Sequence, residues 1–160
     1  MKELSSNVIN VGGLLRLILL PQEAVKGVDK NYQSMETVLY YQDSDRVVAI
    51  DVLNDKSYKY TEEQQDNDAG DCWMIRLNGI IPAMTLDNEQ EISLLERQQF
   101  YVVVIDQNGI MRLVGDREVL PRFLTTRSTG AAHTDLNGIS FKMEHTQVNP
   151  SIILSAMQTV

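Results

Sequence analysis

Cysteine is almost missing from this chain and histidine nearly so: Cys72, His133 and His145 are the whole supply in 160 residues. One cysteine cannot make an internal disulfide, and three soft ligands are too few for a structural zinc site. Cys72 stands beside Trp73 in an apolar run, the setting of a small buried hydrophobe rather than of a nucleophile. Positive charge is short as well, since 14 Lys and Arg against 22 Asp and Glu leave a formal net charge of −8. Affinity for nucleic acid without sequence preference comes from cations displacing counterions from phosphates, so this balance argues against a general nucleic-acid binder and against docking on anionic lipid. No glycine-rich loop leads from a strand into a helix, which removes the usual phosphate cradle. Val11 to Leu20 comes closest to a targeting segment, but it holds Arg16, is too short to span a bilayer and is followed by no small-residue cleavage site before Pro21. The expectation is a protein made in the cytoplasm with no membrane anchor. Neither repeat, low-complexity tract nor domain boundary breaks the sequence, and its length suits a single domain over 1–160.

What is there is strand signal and turn chemistry. Residues 100–115, FYVVVIDQNGIMRLVG, read as two strands around Asn108-Gly109, a dipeptide suited to a type I′ hairpin because both central residues tolerate positive φ. That turn sets Gln107 opposite Ile110, Val104 opposite Leu113 and Val102 opposite Gly115. One face then carries Val102, Val104, Met111 and Leu113, and the other Tyr101, Val103, Ile105, Arg112 and Val114. A hairpin apolar on both faces belongs near the middle of a packed β structure. Gly138 to Thr146 alternates strictly, with Ile139, Phe141, Met143 and His145 on the buried side. Leu14 to Leu20 reads as a core strand bent at Gly12 and Gly13. Residues 21–45 are weakly patterned, with a short helix or irregular strand around Ser34 to Tyr41. Arg46 to Leu53 and Lys56 to Thr61 read as a hairpin about Asn54-Asp55, with Tyr58 and Tyr60 on one face, and Asp71 to Leu77 as a third strand meeting Asn78-Gly79. The one good helix spans Asn88 to Gln99, capped by Asp87 with Gln90 completing a capping box, and shows a narrow stripe of Ile92 and Leu95. One amphipathic helix against antiparallel strands is an α+β arrangement, mainly β. After Asn149, the segment Pro150, Ile152, Ile153 and Leu154 is either a last edge strand or an arm that docks on a neighbour.

The residues that can carry chemistry are few. Ser128, His133 and Asp135 can be written as a triad, but no nucleophile elbow positions the serine. His145 near the end of its apolar face reads as a satisfied, partly buried side chain. Glu62, Glu63, Asp66, Asp68 and Asp71 are the densest charge feature, and the spacing fails as a calcium loop because Leu77 occupies the twelfth position after Asp66. They read as a solvated acidic loop over 61–71 that repels any passing polyanion. No catalytic, cofactor-binding or metal-ligating residue is assigned.

From the helix onward the order of elements resembles a known group. A polar helix leads to LLERQQFYVVVI, a D-x-N-G turn, IMRLVG, the Thr-rich FLTTRSTG, and a second D-x-N-G turn opening DLNGISFKME. Residues 88–156 resemble the small tail structural proteins of tailed bacteriophages and prophages, above all those related to the tail tube. The resemblance implies two packed antiparallel sheets, as a sandwich or partly open barrel, flanked by one helix. It also implies subunits that associate side by side into rings, usually of six, tail tube or related terminator and adaptor alike. Partners would be copies of the chain and other tail proteins, with DNA passing and not specifically bound, and the destination would be the virion tail after synthesis in the host cytoplasm. On that reading the five acids line a channel or face the next ring, and Pro150, Ile152, Ile153 and Leu154 form a subunit-contact arm. The central segment departs from the pattern, showing no clear long tube-forming hairpin. The other reading is a small β-barrel ligand-binding module or hydrolase with an aromatic cleft of Tyr58, Tyr60 and Trp73 beside His133.

Overall fold

The computed structural model describes residues 12–42, 46–52, 58–68, 70–82, 85–96, 98–116, 119–128 and 138–160. The elements in order are β1 (Leu14–Pro21), a 3-10 turn (Gln22–Ala24), β2 (Val25–Asn31), β3 (Glu36–Tyr41), β4 (Val48–Asp51), β5 (Lys59–Asn67) and β6 (Gly70–Pro82). Then come α1 (Leu86–Leu95), β7 (Phe100–Asp106), β8 (Met111–Val114), β9 (Leu124–Ser128), β10 (Gly138–Gln147), β11 (Ile152–Leu154) and β12 (Ala156–Thr159). The chain is α+β and mainly β, with three sheets rather than the two expected: β11-β8-β7-β1-β4, β5-β6-β10-β9 and β12-β3-β2. The first two are antiparallel throughout, and the third contains the parallel pair β12–β3.

The five-stranded sheet is the middle layer, because both of its faces are covered. At its centre Leu17 and Leu19 of β1 lie opposite Val104 and Val102 of β7, and these side chains pack with Ile75, Leu77, Ile139, Phe141 and Met143 of the four-stranded sheet and with Ile92 and Leu95 of the helix. Ile18 and Leu20 lie opposite Val103 and Tyr101, and these pack with Leu39, Val28 and Tyr41 of the three-stranded sheet. Strands buried on both faces lose polar alternation and read as continuous apolar runs. This is why LLRLILLP and FYVVVI stand out in the sequence, and the middle position expected for the hairpin holds. A bulge at Leu15 returns Leu14 to the face of Leu17 and leaves Leu15 and Arg16 exposed.

The hairpin register differs from expectation by one residue. Val104 pairs with Arg112, Val103 with Leu113 and Val102 with Val114. Asp106 N–H donates to Ile110 O at 3.1 Å and Gly109 N–H to Asp106 O at 3.0 Å, so the loop has three residues, 107–109. Gly109 alone among them has positive φ, +80°. This is a type I turn closed by a left-handed glycine, not type I′. The carboxylate of Asp106 decides between them by accepting the N–H groups of Asn108 at 2.8 Å and Ile110 at 3.0 Å. A slip of one residue moves every side chain to the other face. The β7 faces are therefore as expected, while Leu113 and Met111 join Val103 and Ile105, and Val114 joins Val102 and Val104. A Cβ at Gly109 would meet nothing within 4 Å, so substitution there strains the backbone without a clash. Gly109→Val should cost about 1 kcal/mol or more, and Asn108→Ala clearly less, in denaturant melts. Equal losses would restore the two-residue turn.

Three further expectations are corrected. The 46–61 hairpin does not form: β4 is the edge of the middle sheet, paired with β1, and β5 pairs with β6 in another sheet. The 54–55 turn lies outside the described residues. Second, the helix starts at Leu86, with Thr85 as its cap accepting Asn88 N–H at 3.2 Å, and ends at Leu95. Asp87 sits inside the first turn, where its charge suits the positive end of the helix, and Gln99 already bridges to Arg122 in extended form. Third, β6 runs straight through Asn78-Gly79, with no turn there. Gly138 opens β10, opposite Pro82 and Ser128, while 129–137 lies outside the described residues. Of the 21–45 stretch, residues 22–41 resolve into the 3-10 turn, β2, a hairpin turn with Met35 at φ +57°, and β3, while 43–45 lie outside the described residues.

Candidate functional site: the β5–β6 hairpin and the carboxy-terminal strands

The acidic loop expected at 61–71 is two strands of a long hairpin. β5 and β6 pair from Lys59 opposite Asn78 up to Asn67 opposite Gly70. The polar run EEQQDN hid this because β5 is the outer strand of its sheet, where charged side chains also keep an edge from pairing with other chains. Pairing of β6 with β10 ends at Trp73 opposite Gln147. Beyond it, 65–67 and 70–72 continue the β5–β6 ladder, so the hairpin overhangs the last β6–β10 pair by three residue pairs, about 10 Å.

The five acids separate along it. Asp66 lies directly opposite Asp71, with Asp68 in the turn between them, so three of the five gather at the tip. Gln64 Nε2 donates to Asp71 Oδ2 at 3.2 Å. Glu63 is on the wet face, 3.3 Å from Arg76 Nη1 of the next strand, so the charge run is relieved there by a cation the linear sequence places thirteen residues away. Glu62 turns the other way. Its carboxylate accepts Ser151 N–H at 2.6 Å, Ser151 Oγ–H at 2.7 Å and Tyr60 O–H at 2.9 Å. These short charge-assisted bonds clamp the start of β11 to β5. Burial, opposed by the Ser151 hydrogen bond, and then the Glu62 carboxylate hold the Tyr60 phenol above its ordinary pKa.

The carboxy-terminal segment takes the first of its two expected forms, an edge strand of its own chain. Ile152–Leu154 pairs with β8, Ser155 N–H donates to Thr37 O at 2.8 Å, and β12 then runs parallel to β3. Leu154 is buried, Ile152 half-buried and Ile153 58% exposed. Only Ile153 of the three therefore offers a large apolar side chain outward.

The aromatic cleft does not assemble. Tyr58 is buried in edge contact with Phe141, ring centroids 6.0 Å apart, and its hydroxyl donates to Ile80 O. Tyr60 is held by Glu62, and Trp73 lies four residues along the ladder from Leu77, Tyr60's partner, about 14 Å away. His133 lies outside the described residues. Tyr58 and Tyr60 do line a shallow opening of about 320 Å³ with Lys59, Asp106 and Asn108. The sequence reading missed a larger polar groove, about 720 Å³, lined by Gln22, Glu23, Arg46, Glu96, Gln98 and Arg122 among others. Its residues come from four separate stretches, so no local pattern marks it. Beside it Arg127 bridges Glu89 at 2.7 Å and Glu96 at 2.8 Å, tying the helix to β9.

Among the described residues no cluster of His, Cys, Asp and Glu is placed to hold a metal ion, and no helix is long and apolar enough to cross a membrane. Comparison of the chain with models of known protein families, with curated proteins and with solved structures found no match.

Proposed function

We propose that this chain is a structural protein of a phage or prophage tail, the tail tube or a related terminator or adaptor, that assembles with copies of itself into rings. The observation that carries the reading is the overhanging β5–β6 hairpin. It is a long central hairpin of the kind the sequence pattern lacked, and its tip extends past Trp73 opposite Gln147, the last residue pair of β6 with β10. The sheet edges add support: among the described residues β4 and β11 are the outer strands of the middle sheet, and Ile153 is exposed on β11. Such edges are sites where another chain can add a strand. Asp66, Asp68 and Asp71 at the tip, in a chain of net charge −8, suit a surface that DNA passes without sticking. On this reading the partners are other copies and other tail proteins, and the protein moves from host cytoplasm to virion. The tip acids face the channel or the next ring, while Glu62 serves its own chain.

Light scattering across a concentration series, with negative-stain microscopy of the same samples, tests it. Rings or short stacks should appear at high concentration and weaken when 65–72 is replaced by a two-residue turn, with melting temperature held. A strict monomer, alone and beside its neighbouring tail proteins, would overturn the reading and favour a small-ligand module using the Tyr58–Tyr60 opening.

A further inference from the structure

Among the described residues one buried side-chain polar atom has no hydrogen-bond partner, Nε2 of His145. His145 is 6% exposed, on the core face of β10. It lies opposite Ile75 of β6, and Ile75 lies opposite Glu62 of β5, so Glu62, Ile75 and His145 form one row on one face. The next row inward is Tyr60, Leu77 and Met143, and the next row outward is Gln64, Trp73 and Gln147. From the middle sheet the charged groups on that side are Asp116, just past β8, whose field reaches the imidazole, and Arg112 of β8, whose field reaches Tyr60 in the next row. Glu144 and Lys142 of β10 project from the opposite face. Gln147 Oε1 accepts Gly115 N–H at 3.2 Å, which fastens the exit of β8 to the same end of β10.

We infer that His145 is an acid-sensitive joint, whose protonation loosens the end of the fold where β8, β10 and β11 meet. A neutral imidazole leaves one nitrogen unsatisfied in a packed wall, a tolerable cost; an imidazolium there must find an acceptor. Two carboxylates stand on that side. Asp116 follows Gly115, whose N–H is held by Gln147, so a pull of the imidazolium on Asp116 is a pull on that bond. Glu62, across Ile75 in the same row, has both carboxylate oxygens engaged by Ser151, so turning it toward the ring competes with the bonds that hold the root of β11. Either route undoes a tie on an edge strand of the middle sheet, so the buried histidine and the clamp are parts of one device. Burial holds the imidazole below its ordinary pKa, against the opposing pull of Asp116. The unfolded or opened chain therefore takes the proton more readily, and the closed form loses stability as pH falls from about 6.5 down to the folded pKa.

The device is independent of any assembly and is read on the full chain in dilute solution. Amide hydrogen exchange between pH 8 and 5 should show protection factors at 113–116 and 151–154 falling below pH 6.5 by up to about tenfold per unit, and core amides such as Leu17 and Val103 can fall by no more than this, through global unfolding alone. His145→Met should flatten that response. Unchanged protection in the parent, or the same loss in His145→Met, would overturn the inference. Should that variant fail to fold, the imidazole titration followed by NMR in the parent decides, and a pKa at or above 6.5 would also overturn it.

Discussion

Gly79→Ala should destabilise the fold by about 1–3 kcal/mol, and Gly79→Val by more, the range expected when atoms are forced into a packed core. A Cβ at Gly79 would stand 2.5 and 2.6 Å from two ring carbons of Phe141 and 2.6 Å from Cδ1 of Tyr58. Neither ring can retreat easily. Phe141 stacks on Phe123, centroids 5.0 Å apart and planes 18° from parallel, and Tyr58 is fixed at its far end by the bond to Ile80 O. Gly79 thus exists so that two aromatic rings can lie on the backbone of β6, opposite Phe141 in the ladder. Gly27→Ala is the control: no heavy atom lies within 4 Å of its Cβ position, and β2 is an outer strand. Denaturant melts should separate the two by more than 1 kcal/mol, and equal midpoints would show the rings to be more mobile than this packing allows.

Gly79 also marks where the sequence was legible and where it was not. Asn78-Gly79 looks like Asn108-Gly109 in the sequence, yet one dipeptide lies inside a thirteen-residue strand and the other closes a turn. A glycine signals freedom of φ and absence of Cβ alike, and only the fold says which is used. Runs buried on both sides, such as Phe100–Ile105, carried their placement openly because desolvation on two faces leaves no room for polar residues. Strict alternation in β10 did the same for a one-sided strand. β5 failed the same test past Thr61, because an edge strand that carries Glu62 and Glu63 and then overhangs its sheet shows no apolar alternation and reads as a loop. The Thr85 cap and the Asp106 side chain shifted boundaries by one or two residues, and a shift of one was enough to turn Leu113 over. Of the candidate site, the acids were found, but their division among the hairpin tip, the Arg76 pair and the Ser151 clamp was not. That division depends on partners 7 to 89 positions away in the chain.

Val104→Asp should prevent folding. Val104 is 2% exposed in β7, with β1 and β8 hydrogen-bonded on either side, and its side chain lies among Leu17, Val102, Val114 and the core face of the four-stranded sheet. Arg112 is its ladder partner and offsets part of the charge, but the rest of that face is apolar and gives a carboxylate no water. The cost of such a buried charge is several kcal/mol, against a total stability of about 5–15 kcal/mol for a domain. The group would sooner take a proton than stay ionised, so the variant's residual structure should increase on acidification to pH 4–5, the reverse of the change expected from His145. Val104→Thr separates polarity from volume: it keeps the shape, buries one hydroxyl, and should cost roughly 1–3 kcal/mol while leaving the protein folded. Circular dichroism with thermal melts reads both variants. A Val104→Asp protein that melts with the parent would mean that β7 is not at the centre of the middle layer, and would remove the frame on which the hairpin, the clamp and the edge strands are hung.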